Sequence, residues 1–131
     1  MYNMGALYLR IDQNMSRAKN IFPMSLYVHF PWCLRKCPYC DFNSYTLPKL
    51  KQQELFIRYV NQLLIDLKNE ATSLPNHELS SIYFGGGTPS LLLPSAIKKI
   101  LNTGRNFFAF TPDIEITLEA NPENVNEEYA I

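Results

Sequence analysis

The sequence predicts an α/β fold in which three parallel strands are joined by crossover helices. Residues 25–30, 79–84 and 113–119 have the short apolar or alternating pattern of strands, and two longer helical stretches lie between them. Strands that alternate with helices are typical of a parallel sheet, because parallel neighbours need a crossover connection, which is right-handed. A chain of 131 residues is long enough for one modest domain with its own core.

The first predicted strand, residues 25–30, has one apolar face and one face that carries Tyr27 and His29. Pro31 follows it directly. Since proline has no N–H to donate to a sheet, we expect the strand to end there.

The residues before this strand differ from the rest of the chain. Residues 1–23 mix apolar and basic side chains and contain one acidic residue, Asp12. They are predicted to be a weakly ordered extension, with Met24 as a candidate for the natural start. The predicted core domain is then residues 24–131.

The two predicted helices separate the strands. Apolar residues recur at four-residue intervals over residues 49–70, which indicates one long amphipathic helix. A second helix begins at Pro94, and Asn and Gly at 102–104 are typical of a helix end. The third strand, residues 113–119, alternates apolar and polar side chains, and residues 123–131 have the pattern of the first turns of another helix.

Three segments that could carry chemistry follow the three strands. The cysteine loop (residues 31–44) follows the first, the glycine loop (residues 85–89) follows the second, and Glu119 ends the third. The carboxyl ends of parallel strands lie at one edge of a sheet, where functional loops cluster. We therefore expect these segments to converge.

The cysteine loop contains all the cysteines of the chain, Cys33, Cys37 and Cys40, with Tyr39 before the last. Three thiolates on one loop can hold a metal centre that keeps an open position, such as three irons of a four-iron cluster. An odd, clustered set of cysteines without a secretory signal indicates metal or redox chemistry in a reducing compartment, for which we expect the cytoplasm.

The alternative for this loop is a zinc site, in which His29 or Asp41 supplies the fourth ligand. Zinc modules usually have a second pair of cysteines at a distance, and this chain has none. The sequence favours the open metal centre and leaves the zinc module as the second interpretation.

The glycine loop and Glu119 each have two interpretations. Consecutive glycines form a tight turn with positive φ, or let bare backbone approach a ligand's ammonium group. They match neither a P-loop nor a dinucleotide fingerprint. Glu119 is a solvated charge, or an acceptor for ligand hydroxyls.

Composition excludes two classes of partner. Twelve Lys and Arg balance twelve Asp and Glu, so no overall charge attracts nucleic acid. No apolar run approaches the roughly 18 residues that a membrane-spanning helix needs.

Four strings carry a resemblance to a known family: LYVHFPWC, CDFNS, FGGGTPS and LEANP. Together with C-x3-C-x2-C they are similar to radical S-adenosylmethionine (SAM) proteins of the oxygen-independent coproporphyrinogen III oxidase-like family. The resemblance runs from about Met24 to the end of the chain. It implies an incomplete (β/α) TIM barrel, of which the chain supplies the first three parallel strands with their crossover helices.

The resemblance also implies a cofactor set. Cys33, Cys37 and Cys40 would ligate a [4Fe-4S] cluster, SAM would chelate its open iron, and an electron donor would reduce the cluster so that SAM is cleaved. The residues that match SAM-contacting positions of the family are Tyr27, Tyr39, Gly86, Gly87, Thr88 and Glu119.

Phe42 separates two branches of this family. The oxidase branch has a fourth cysteine two residues after the third, whereas this chain has Phe42 and resembles the heme-chaperone (HemW) branch. The expected task is therefore handling of heme or a porphyrin in the full-length protein, with coproporphyrinogen III oxidation as the alternative. A whole barrel needs on the order of 200 residues, so we expect an N-terminal portion that is inactive by itself.

Overall fold

The computed structural model describes the backbone of residues 7–11, and residues 22–74, 77–125 and 127 in full. The elements are the strands β1 (Leu7–Ile11), β2 (Phe22–Phe30), β3 (Trp32–Cys33), β4 (Tyr45–Thr46), β5 (His77–Gly86) and β6 (Ala109–Leu118), and the helices α1 (Gln52–Ser73) and α2 (Pro94–Phe107). Short 3₁₀ turns lie at Pro89–Leu91 and Pro122–Asn124. No helix in these ranges is long and apolar enough to cross a membrane.

The central sheet has the order β1-β2-β5-β6. β2, β5 and β6 are parallel neighbours, α1 lies between β2 and β5 along the chain, and α2 lies between β5 and β6. Val28, Phe84 and Leu118 occupy one register row across these strands. The predicted fold of three parallel strands with crossover helices is confirmed.

β1 lies within the predicted N-terminal extension. Its backbone pairs antiparallel with β2, from Leu7 opposite Val28 to Ile11 opposite Met24. The sequence predicts no strand here, because a five-residue strand held by a distant partner leaves little local pattern. The expectation of weak order for residues 1–6 and 12–21 lies outside the described residues, and the division at Met24 remains a prediction.

The helices differ from their predicted bounds. α1 begins at Gln52 rather than at residue 49, because Lys51 has φ 63°, a left-handed conformation that cannot continue a helix. α2 does not end at residues 102–104 as predicted. It runs on to Phe107, because Gly104 is buried inside the helix against Leu67 and Phe110.

All three predicted strands and the last predicted helix also differ in their bounds. β2 begins at Phe22 rather than at residue 25. β5 runs from His77 to Gly86 rather than over 79–84, so the first two residues of the glycine loop belong to the strand. β6 runs from Ala109 to Leu118 rather than over 113–119. The predicted helix over residues 123–131 falls largely outside the described residues. Its described beginning belongs to the 3₁₀ turn Pro122–Asn124.

The two faces of the sheet have different environments. Leu26, Val28 and Phe30 of β2 are buried in one apolar cluster with Tyr59 and Leu63 of α1. Full burial of an apolar side chain of this size contributes about 1.5–3 kcal/mol. Residues of the opposite face are partly exposed, and they include Tyr27, His29, Tyr83 and Thr117. The helix layer therefore stabilises the sheet, while the open face is free to carry a site.

Candidate functional site

The glycine loop is hydrogen-bonded to the beginning of the cysteine loop. The N–H of Gly87 donates to the carbonyl oxygen of Phe30 (2.7 Å), and the N–H of Thr88 donates to that of Trp32 (2.8 Å). These bonds continue the pairing of β2 with β5 beyond the end of both strands. The two loops are therefore one backbone assembly at the carboxyl edge of the sheet.

The close contact between the glycine loop and the cysteine loop requires glycine at two positions. Gly86 has φ +110°, and a Cβ there would lie 2.7 Å from the imidazole of His29. A Cβ on Gly87 would lie 2.7 Å from the carbonyl carbon of Trp32, closer than any real contact. The family resemblance predicts that these glycines contact a ligand; the structure shows that they let the two loops touch and that Gly86 has the positive φ of a tight turn.

Glu119 points to the glycine loop. Its N–H donates to Phe84 O (3.0 Å), which places its side chain one step beyond β6. One carboxylate oxygen, Oε1, accepts from the hydroxyl of Tyr83 (2.7 Å), and the other, Oε2, accepts from the N–H of Gly86 (3.2 Å). The expected convergence of Glu119 with the glycine loop is confirmed.

Tyr83 is a site residue that the sequence does not single out. It lies on β5 directly beside Tyr27 of β2, and the two rings stack with centroids 6.1 Å apart and planes 24° apart. The alternation of residues 79–84 could have placed it on the open face. Nothing in the sequence indicates its bond to Glu119, because the two residues lie on different strands.

His29 connects Tyr27 to the far end of the cysteine loop. Its Nδ1 lies 3.0 Å from the hydroxyl of Tyr27, and its Nε2 lies 2.9 Å from the carbonyl oxygen of Asn43. A carbonyl only accepts, so Nε2 carries the proton, and in the neutral ring Nδ1 accepts from Tyr27. Both ring nitrogens are thus engaged, which disfavours His29 as a fourth zinc ligand.

The cysteines lie along the loop with free thiols. Cys33 and Cys40 are half-buried and Cys37 is exposed. The N–H of Cys40 donates to the carbonyl oxygen of Cys37 (3.1 Å), which turns the chain between them. Tyr39 is 87% exposed, and its hydrogen bond to the Cys37 side chain raises the pKa of its hydroxyl above the ordinary value.

The donor set fits an iron–sulfur cluster in kind and number. In the part of the chain that the structure describes, no three cysteine, histidine or acidic side chains are close enough together to hold a metal ion. The three thiols share one loop without converging. Free cysteine thiols are nevertheless the ligands that iron–sulfur clusters use, and three of them leave one iron of a four-iron cluster open.

The arrangement defines a class of protein: an α/β chain whose functional loops lie at the carboxyl edge of a parallel sheet, as in barrel enzymes. A sequence model of the Radical SAM superfamily matches residues 27–131. The chain belongs to the radical SAM superfamily.

Comparison with individual relatives shows which branch of the superfamily this chain resembles. The chain is 47% identical over 103 residues to the heme chaperone HemW of Escherichia coli K12, covering 79% of this chain and 26% of that protein. It is 43% identical over 107 residues to the heme chaperone HemW of Haemophilus influenzae, covering 81% of this chain and 28% of that protein. The predicted similarity to the heme-chaperone branch is confirmed, and the chain spans about a quarter of the length of these relatives.

A solved structure supports the fold. The coproporphyrinogen III oxidase HemN of Escherichia coli, described as a radical SAM enzyme, superposes with a TM-score of 0.70 at 26% identity. The match covers 85% of this chain and 24% of that one. The predicted partial (β/α) barrel agrees with this likeness.

Proposed function

We propose that this chain forms the part of a heme-chaperone-like radical SAM protein that holds a [4Fe-4S] cluster and SAM. One observation carries the proposal: the glycine loop is hydrogen-bonded to the start of the cysteine loop through Phe30 and Trp32, and to Glu119 through Gly86. A ligand bound at this edge of the sheet would therefore have backbone of the glycine loop and a carboxylate beside it.

The cysteines are the proposed cluster ligands. Cys33, Cys37 and Cys40 would each hold one iron. When bound, such a cluster would supply an open iron that SAM could chelate through its amino and carboxylate groups. Cys37 is exposed on the loop surface, which leaves its thiol accessible to an incoming metal.

The remaining predicted residues are proposed to bind and orient SAM. The carbonyl groups of Gly86 and Gly87 and the side-chain hydroxyl of Thr88 would supply polar contacts, while the Thr88 N–H is held by Trp32 O. Tyr27 stands on the open face of β2, with its ring next to Gly85. The exposed ring of Tyr39 is available to adenosine, and the Glu119 carboxylate is available to ribose hydroxyls.

The relatives favour a heme chaperone over an oxidase. Identity to the two HemW proteins, 47% and 43%, exceeds the 26% to coproporphyrinogen III oxidase. Phe42 stands, 61% exposed, where the oxidase branch is expected to have cysteine. Heme or a porphyrin, and an electron donor in the cytoplasm, are the partners that we propose for the whole protein.

Anaerobic reconstitution of the chain with iron and sulfide tests the cofactor proposal. We expect about four irons per chain, the number in a [4Fe-4S] cluster, and a change in the electron paramagnetic resonance spectrum of the reduced cluster when SAM is added. Cys37→Ser should lose the iron and keep the same circular dichroism spectrum, because Cys37 is exposed. A colourless chain that binds zinc would contradict the proposal.

The task in the whole protein needs a separate test. Hemin added to the full-length protein should shift the heme absorption bands with one saturable site. Rescue of an oxidase-deficient strain by that protein would instead support coproporphyrinogen III oxidation.

A further inference from the structure

We propose that Tyr83 is a positioning residue for Glu119, whose carboxylate it holds in place to accept hydrogen bonds from the ribose hydroxyls of SAM. The inference rests on the proposed function. It extends that function to a residue that makes its contact through Glu119.

The carboxylate of Glu119 is held at two points. Tyr83 Oη donates to Oε1 at 2.7 Å, and Gly86 N–H donates to Oε2 at 3.2 Å. Two donors on two oxygens fix both the direction and the plane of the group. An ionised carboxylate has about four lone-pair sites, so one site on each oxygen remains for a ligand. Two parallel acceptors suit two neighbouring hydroxyls.

Tyr83 is itself held by its surroundings. Its ring stacks on that of Tyr27 at 6.1 Å, and the two residues are paired in register between β2 and β5. The sheet therefore fixes the position of the Tyr83 ring on β5. The Tyr83 hydroxyl extends from this ring to Glu119, directly after β6. Glu119 follows β6, and its carboxylate is held by the hydrogen bonds from Tyr83 and Gly86.

The ionisation state of Tyr83 agrees with a donor role. Its hydrogen bond to Glu119, more than its burial, raises the pKa of the Tyr83 hydroxyl above the ordinary value. The hydroxyl is protonated at neutral pH and donates to the carboxylate. The Gly86 N–H alone would leave Oε1 free to turn.

Tyr83→Phe removes the hydroxyl and keeps the ring that stacks on Tyr27. With the cluster reconstituted, we expect the dissociation constant for SAM to rise about five- to tenfold, which corresponds to about 1–1.4 kcal/mol, at unchanged iron content. A SAM analogue without the 2′-hydroxyl should bind the parent and Tyr83→Phe with more similar constants. In a Glu119→Gln variant, adding Tyr83→Phe should raise the dissociation constant for SAM little further.

Tyr59→Phe is the matched control. It also removes one tyrosine hydroxyl, which donates to His29 O at 2.5 Å from the buried side of the sheet. Tyr59→Phe should lower thermal stability and leave the preference for SAM over the 2′-deoxy analogue unchanged. An unchanged preference in Tyr83→Phe as well would overturn the inference.

A measurement without cluster or SAM separates this inference from the proposed function. In the metal-free chain with ¹³C-labelled tyrosine, the pKa of Tyr83 should fall when Glu119 is replaced by Gln. A Tyr83 pKa that does not move overturns the positioning role. If the pKa falls and the unaltered, reconstituted chain binds no SAM, the proposed function fails, and the ribose contact fails with it.

Discussion

The cysteine loop and the glycine loop follow neighbouring parallel strands, yet they are held in place by different means. In the glycine loop, Gly85 and Gly86 are buried, and the amides of Gly87 and Thr88 are bonded to the adjoining backbone. In the cysteine loop, residues 34–39 are all exposed. The glycine loop is thus set by the fold, whereas the tip of the cysteine loop (residues 34–39), which includes Cys37, lies at the surface.

Near the start of the cysteine loop, Trp32 and Cys33 form its root and are buried or half-buried like the glycine loop. The tip of the cysteine loop, residues 34–39, is exposed. Trp32 is buried, and its ring packs edge-on against Phe30 and Tyr59 with centroids 5.4 and 5.2 Å apart. Beyond Cys33, the loop is braced by Lys36, whose Nζ donates to the carbonyl oxygen of Ser44 (3.1 Å). Metal binding and local folding are coupled where ligands are not preformed. We expect the glycine loop to be rigid without cofactors and the cysteine tip to become ordered with its metal.

The largest expected effect is on the glycine loop. Gly87→Ala places a Cβ against the backbone of Trp32, which cannot move like a side chain. We expect a loss of about 2–3 kcal/mol in the free energy of unfolding, measured by urea denaturation of the metal-free chain.

Gly104→Ala is the control for that substitution. Its Cβ would lie 3.4 Å from the ring of Phe110, an ordinary contact, inside helix α2. Since alanine favours helix over glycine by about 1 kcal/mol, stability should stay level or rise. Equal losses in the free energy of unfolding for Gly87→Ala and Gly104→Ala would contradict the inference that the fold holds the glycine loop rigidly in place.

The tip of the cysteine loop should respond to metal. Arg35 and Lys36 are exposed beside Cys37, so trypsin should cut the metal-free chain there early. Reconstitution with iron and sulfide should slow this cleavage about tenfold, as expected if loop opening becomes about 1.4 kcal/mol costlier. Mass spectrometry of the fragments measures the rate.

Cleavage after Lys98 and Lys99 in α2 serves as the internal reference, because that helix is distant in sequence from the thiols. Its rate should change much less than the rate at Arg35 and Lys36. Equal protection at both places would mean that metal stabilises the whole chain instead of the loop.

The smallest expected effect is at Tyr59, whose ring packs against Trp32 at the root of the cysteine loop. Burial, and then the neighbouring Tyr27, raise the pKa of Tyr59 well above its ordinary value. Since the folded pKa is the higher one, the contribution of Tyr59 is present below about pH 10 and is lost as the pH rises above it. Tyr59→Phe should cost about 1 kcal/mol at neutral pH through its hydrogen bond.

The same variant should lose less stability than the parent between neutral and strongly alkaline pH. Urea denaturation at several pH values measures the difference. Parallel losses in both proteins would show that other groups cause the alkaline destabilisation.

Much of the fold could be predicted because it depends on local pattern. The alternation in residues 25–30 predicts the buried face of β2, and Pro31 predicts its end, which the structure places at Phe30. β1 and the extension of α2 through Gly104 escaped prediction, because both depend on distant partners. The positive φ of Lys51 likewise has no local signal in the sequence.

The sequence by itself determined the superfamily, and through the family resemblance it predicts the chemical kind of the site. The spacing of the cysteines, the run of glycines and the strand-end Glu119 are covalent facts on which the prediction of a metal centre with SAM depends. Only the tertiary structure decided how these parts meet: His29 between Tyr27 and Asn43, and Tyr83 on Glu119. Each of these contacts joins different strands or loops, whose register is set by packing of the whole sheet and leaves no trace in neighbouring residues.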